Sequence, residues 1–158
     1  MPTMTQAIDP RQLRACLGHF TTGVTVVTYR RGNELRGATV NSFTSVSMDP
    51  PLVLVALDRG SRAVQHLGDG PYVINVLAEH QQDIAMHFAG RPTTAQLPWV
   101  DEHTGSPRLA GTVGHVVCSP WRDYDGGDHV LFVGAVTDFE QHGGRPLLFF
   151  RGKFPRLA

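Results

Sequence analysis

The chain has 158 residues, 41% hydrophobic and 18% charged, which suits one globular domain with its own core. Fourteen basic and fourteen acidic residues cancel, which excludes a broad field for drawing in nucleic acid or an acidic membrane. No apolar run reaches the roughly 20 residues that span a bilayer, and Met1 to Gln6 carries no secretory pattern, so a cytoplasmic protein is expected.

Residues 1–8 read as a loose tail and 9–158 as a single domain. Asp9-Pro10 opens a helix, with Asp9 as cap and Pro10 in the first turn. Leu13, Leu17 and Phe20 share one face, which is expected to pack inward. Gly18 and Gly23 weaken and end the helix. Val24 to Tyr29 is a β-branched strand, Arg31-Gly32-Asn33 a turn, and Leu35 to Asn41 its hairpin partner.

From Gly37 to Ser47 the chain mixes strand-like residues with Thr39, Asn41, Ser42, Thr44, Ser45 and Ser47. A buried strand does not need so many hydroxyl and amide groups. A pocket for a flat ligand with a polar edge does. Asp49-Pro50-Pro51 interrupts, and Leu52 to Leu57 restarts as a buried strand. Ser61 caps a short helix through Leu67, and Tyr72 to Leu77 is a strand. Glu79 to Phe88 is a helix with Ile84, Ala85 and Phe88 facing in.

Gly90 to Gly111 reads as a long irregular loop, of the length that usually serves function. Thr112 to Cys118 is a strand, Ser119 to Asp125 a turn region, Asp128 to Phe139 a strand, and Pro146 to Arg151 the last strand. Trp99 and Trp121 fall in loops on this reading. About seven strands and three short helices, joined mostly by hairpins, predict an antiparallel barrel.

The chain lacks Gly-x-Gly-x-x-Gly, a Walker loop and Gly-x-Ser-x-Gly. Eight histidines are present, but no His-Glu-x-x-His, and His80 and His87 have no third ligand near them in sequence; no metal is expected. Asp128 and His129 are neighbours in a predicted strand, so their side chains are expected on opposite faces. Cys16 and Cys118 read as reduced, partly buried thiols.

Several segments in order carry a resemblance. They are Phe20 to Thr28, Thr39 to Leu54, Ser61 at a helix start, and Asn75-Val76-Leu77 followed by Gln81 and Phe88-Ala89-Gly90. Gly126-Gly127-Asp128-His129 and Pro146 to Gly152 complete the set. Together they make the chain similar to the short-chain flavin reductase family, whose fold is a mainly β, antiparallel split barrel with a few short helices. The resemblance implies a homodimer. It implies use of NADH or NADPH to reduce FMN or FAD for a separate monooxygenase component. The protein then mainly aligns two rings, because the cofactors carry the reactivity.

The resemblance also assigns residues. Gly37, Ala38 and Thr39 let the backbone approach the flavin, and Asn41 and Ser42 bond its polar edge or ribityl chain. Ala56, Leu57 and Asp58 border the ribityl chain. Ser61 and Arg62 begin a helix suited to phosphate. His87 stands where relatives carry a basic residue. His129 matches the histidine on the nicotinamide side and is the catalytic candidate. Arg151, Gly152 and Lys153 help hold the dinucleotide. The competing readings are a flavin-carrying module without reductase activity and a reductase serving another electron acceptor.

Overall fold

The computed structural model describes residues 6–102 and 105–158. Most of the expected tail, residues 1–5, lies outside the described residues; 6–8 are irregular and exposed. In chain order the elements are α1 (Pro10–Leu17), β1 (Thr22–Gly23), β2 (Thr25–Arg31), β3 (Glu34–Val40), β4 (Thr44–Met48) and β5 (Pro51–Asp58). A 3-10 turn (Arg62–Gln65), β6 (Tyr72–Val76), a second 3-10 turn (Glu79–Gln81) and α2 (Gln82–His87) follow. The chain closes with β7 (Trp99–Val100), β8 (Arg108–Leu109), β9 (Gly114–Gly126), β10 (His129–Gln141) and β11 (Leu148–Phe149).

Seven strands form one antiparallel sheet in the order β3-β2-β6-β9-β10-β5-β4. Its two edge strands, β3 and β4, are consecutive in the chain. The link of residues 41–43 reaches at most about 14 Å, so the sheet curls until its edges approach. β3 accordingly touches β5.

β2 is buried on both sides of the sheet because successive side chains alternate. Val27 joins Tyr29, Val55, Leu57, Tyr72, Ile74, Cys118 and Phe132 in one cluster. Val26 joins Val24, Leu77, Ala85, Leu109 and Leu147 in a second, beneath α2. Each buried Val, Leu, Ile or Phe side chain among them contributes about 1.5–3 kcal/mol on removal from water. Asn75 is fully buried between the strands. Its amide donates to Val26 O and Thr28 Oγ1, both at 2.9 Å, and its carbonyl accepts the Leu109 N–H at 2.9 Å.

Several sequence expectations need correction. α1 stops at Leu17 and buries no residue; Leu13, Leu17 and Phe20 are exposed at 47%, 63% and 80%. Amphipathic spacing marks a face that needs a partner, and none of the described residues covers this one. Segment 119–125 is strand, not turn, because β9 runs unbroken to Gly126 opposite β10. Polar composition misled there, since that half of the hairpin is exposed. Trp121 therefore lies on β9 and Trp99 on β7. The 90–111 loop contains the small β7–β8 pair. The last strand shrinks to Leu148–Phe149, which pairs with β1. Cys16 is exposed, while Cys118 is buried. Among the described residues no helix is long and apolar enough to cross a membrane.

Candidate functional site

The polar run after Gly37 is largely tied to backbone. Thr39 Oγ1 donates to Ala85 O at 2.6 Å, and the Thr39 N–H donates to Phe88 O at 3.3 Å, which fixes β3 to α2. Ser42 Oγ donates to Ala56 O at 2.8 Å and accepts the Ala56 N–H at 2.9 Å, closing the seam between the sheet edges. Thr39 thus has only lone pairs to offer a ligand, whereas the exposed Asn41 amide can both donate and accept. Gly37 faces Phe88: a Cβ there would lie 2.8 Å from the Phe88 ring. The glycine makes room for that ring, which in turn packs on Trp99 at 5.7 Å between centroids.

Val24, Thr39, Asn41, Ala85, Met86, Ala89, Phe149 and Phe154 line a cleft of about 250 Å³. Its walls are mainly apolar, with Phe149 and Phe154 set edge to face 5.4 Å apart. Phe149 also lines a neighbouring cavity of about 490 Å³ whose other walls include Arg11, Arg14, Gly18, Arg151 and Gly152. Arg11 and Arg14 stand three apart on α1 and so share a face. Arg151 adopts φ 50°, a left-handed conformation, and its N–H donates to Gly18 O at 3.0 Å. That contact seats the turn from Phe150 to Lys153, closed by two backbone bonds of 2.9 Å, against α1.

The β9–β10 hairpin presents Asp128 and His129. Its two-residue tip uses Gly127 at φ 75°, which only glycine adopts readily. Asp128 lies in this tip and not in the strand, so the expected separation of the pair fails. His129 Nδ1 meets Asp128 Oδ1 at 2.7 Å. The hydrogen bond from His129 holds the Asp128 carboxyl below the usual carboxylate range, and Arg14 adds a smaller effect in the same direction. α1 and the hairpin tip therefore stand on the same side of the molecule. With Asp128 ionised, Nδ1 carries the proton and Nε2 points away from it. Arg59 braces the tip: its Nε donates to Gly127 O at 2.7 Å, its N–H to Asp128 O at 3.0 Å, and its guanidinium pairs with Asp125.

Residues 17–158 match the family described as flavin reductase like domain. The chain belongs to this flavin reductase family. It is 42% identical over 165 residues to an NADH-dependent FAD reductase of Streptomyces globisporus, covering 97% of this chain and 90% of that protein. It is 39% identical to the reductase subunit HsaB of a flavin-dependent monooxygenase from Rhodococcus jostii, covering 94% and 78%. Among solved structures, flavin reductase PheA2 superposes with a TM-score of 0.90 at 35% identity over 96% of this chain and 99% of that one. The S. globisporus oxidoreductase SgcE6, solved with NAD and FAD fragments, gives 0.85 at 39% identity over 98% of each chain.

Within this flavin reductase fold not every predicted residue reaches the cleft. Asp58 pairs with His129 across β5 and β10 and accepts the Gly60 N–H at 2.8 Å. Ser61 caps a helical turn of only four residues, with the Ala63 N–H at 3.3 Å, too short to offer much dipole. Arg62 lies close enough to Tyr29, with Arg31 and Arg36, to act on its hydroxyl. His87 Nδ1 accepts the Thr93 N–H at 3.0 Å, so one of its nitrogens secures the following loop. Arg11 and Arg14 did not enter the sequence reading. Their signal was two basic residues at helical spacing, uninterpretable until Arg151 was known to fold back beside them.

Proposed function

We propose that the chain is an NAD(P)H-dependent flavin reductase acting on FMN or FAD. It works in the cytoplasm as a homodimer of split barrels and supplies reduced flavin to a separate monooxygenase component. One observation carries this reading: an apolar cleft joins an arginine-lined cavity across Phe149, on the side that presents His129. The donor set fits the cofactor, because a flat ring with an anionic tail needs an apolar slot that opens onto positive charge. The kinship with reductases named for NADH, FAD and monooxygenases supports the same conclusion.

When bound, flavin supplies the two-electron acceptor for a nicotinamide hydride. The chain supplies position. Val24, Met86, Phe149 and Phe154 exclude water and hold a ring flat, while Asn41 and the free lone pairs of Thr39 read its polar edge. Gly37 and Ala38 shape the strand beneath, and Ser42 with Ala56 locks the seam to Leu57 and Asp58. Arg151, Gly152 and Lys153, with Arg11 and Arg14, hold phosphate oxygens. His129 Nε2 orients the nicotinamide carboxamide while Asp128 fixes the ring. His87 and the Ser61–Arg62 turn serve a longer cofactor tail.

The homodimer explains the bare face of α1. Leu13, Leu17 and Phe20 leave an apolar stretch open to solvent, and Val46 and Met48 on β4 are exposed as well. The test of function is NADH and NADPH oxidation with FMN and FAD, followed at the nicotinamide absorbance band. Turnover with at least one pair supports the reading. A flat trace with all four pairs leaves only a flavin-carrying role.

A further inference from the structure

His115, Glu140 and His142 line neither the cleft nor the neighbouring arginine-lined cavity. His115 sits at the start of β9 and the candidate His129 at the far end of the hairpin, eleven residues from Gly126 to His115, or roughly 35 Å along a strand. Antiparallel register sets His115 directly opposite Glu140. His142 follows the end of β10, where its N–H donates to Val113 O at 2.9 Å. His115 Nδ1 stands 3.0 Å from His142 Nε2, and one potential ligand atom from each of the three residues lies within 4.8 Å of the others. His115 is buried, while Glu140 and His142 open the group to solvent.

We propose that His115, Glu140 and His142 form a binding site for a divalent transition metal of the zinc class. Two imidazoles and a carboxylate are the donors that such borderline cations prefer. With metal–nitrogen bonds of about 2.0–2.1 Å, two nitrogens of one coordination shell stand about 3–3.4 Å apart, which matches the histidine pair. Binding replaces the His–His hydrogen bond. Both rings stay neutral: the ring that donated moves its proton to its remote nitrogen through solvent, and His142 turns so that both lone pairs converge. Glu140, directly opposite His115, and Asp138 on the same strand add the negative charge that a cation seeks. The site clasps β9, β10 and the turn at Gly143-Gly144, which leads to Leu147 and the Phe149 wall of the cleft.

The test uses the full chain after chelator treatment. Co²⁺ is titrated and its visible d–d bands recorded, then Zn²⁺ is added as competitor. One equivalent of Co²⁺, displaced by Zn²⁺, is expected in the parent. His142→Ala should abolish this binding and Glu140→Gln weaken it at least tenfold, while His80→Ala leaves it unchanged. Zn²⁺ should raise the thermal midpoint of the parent but not of His142→Ala. His142 is on the surface, so its variant should keep the parent's circular dichroism. Absence of stoichiometric binding in the parent overturns the proposal. So does equal binding when His142 and Glu140 are both replaced.

Discussion

The interior of the curled sheet and the rim that carries α1, β4 and the C-terminal turn are built to different standards. In the interior, Asn75 on β6 bonds to β2 and β8, and the Thr28 hydroxyl donates to Pro107 O at 2.6 Å, while the Thr112 hydroxyl is buried without a partner. On the rim, Phe20 and Met48 remain 80% and 84% exposed, and three arginines surround a cavity without an acidic partner lining it. The interior is complete in one chain. Under the proposed function the rim is completed by ligand and by a second copy, which is the distribution expected of a rigid scaffold holding a binding surface.

The largest effect should come from the interior. Asn75→Ala strips hydrogen bonds from Val26 O, Thr28 Oγ1 and the Leu109 N–H at once. With each unsatisfied buried group costing about 1–3 kcal/mol, we expect a loss of about 3 kcal/mol or more in urea unfolding. A loss below about 1 kcal/mol would mean that water reaches these groups and that the interior is less closed than described. Gly134→Val probes the same region. Its Cβ would sit 2.3 Å from the Tyr72 hydroxyl and 2.9 Å from Cys118 Cβ, so overpacking should cost about 1–3 kcal/mol.

On the rim, His129→Ala should leave folding intact, since its side chain is 41% exposed, yet reduce kcat/KM for the nicotinamide by about tenfold, equivalent to about 1.4 kcal/mol. Flavin affinity should not change. Asp128→Asn should give a smaller drop, because it loosens the ring without removing it. Parent-like kinetics in both variants would take the hairpin tip out of the site.

The same contrast governs what the sequence disclosed. Interior strands were legible because burial demands β-branched runs, as in Val24 to Tyr29 and Leu52 to Leu57. The Ser61 cap was legible because its chemistry is local. The outer half of β9 was missed because an exposed ladder from Ser119 to Asp125 carries no hydrophobic signal, and backbone pairing alone makes it a strand. The Asp128–His129 contact was missed for a related reason: one residue of shift in the hairpin tip moves Asp128 out of the strand. In the site, Asn41 was singled out from sequence, but Phe149 was not, and Arg11 and Arg14 gained meaning only through the chain reversal at Arg151.

If a second copy covers α1, polar substitutions there separate folding from assembly. Leu17→Glu and Phe20→Asp should change the stability of the single chain by no more than about 0.5 kcal/mol, the usual range for exposed positions. They should nevertheless convert a dimer to a monomer in light scattering. Parent protein that is monomeric at every concentration would leave the apolar face of α1 without its proposed occupant.

The smallest effect compares two thiols. Cys118 is fully buried, and burial pushes its pKa up to about 12, so at pH 8 it should not react with a thiol reagent in the native state. Its reference value is 9.0 and its folded value higher; the linked stability is whole below pH 9 and declines as pH rises toward 12. Cys16 lies on exposed α1, beside Leu13 and Leu17, and should react. One thiol should therefore titrate natively and the second only after unfolding. If the proposed partner covers the helix face and with it the sulfur, dilution to monomer, or Leu17→Glu, should speed the Cys16 reaction. A Cys16 rate that ignores both changes would place the dimer contact elsewhere on the rim, and two fast thiols would breach the closed interior itself.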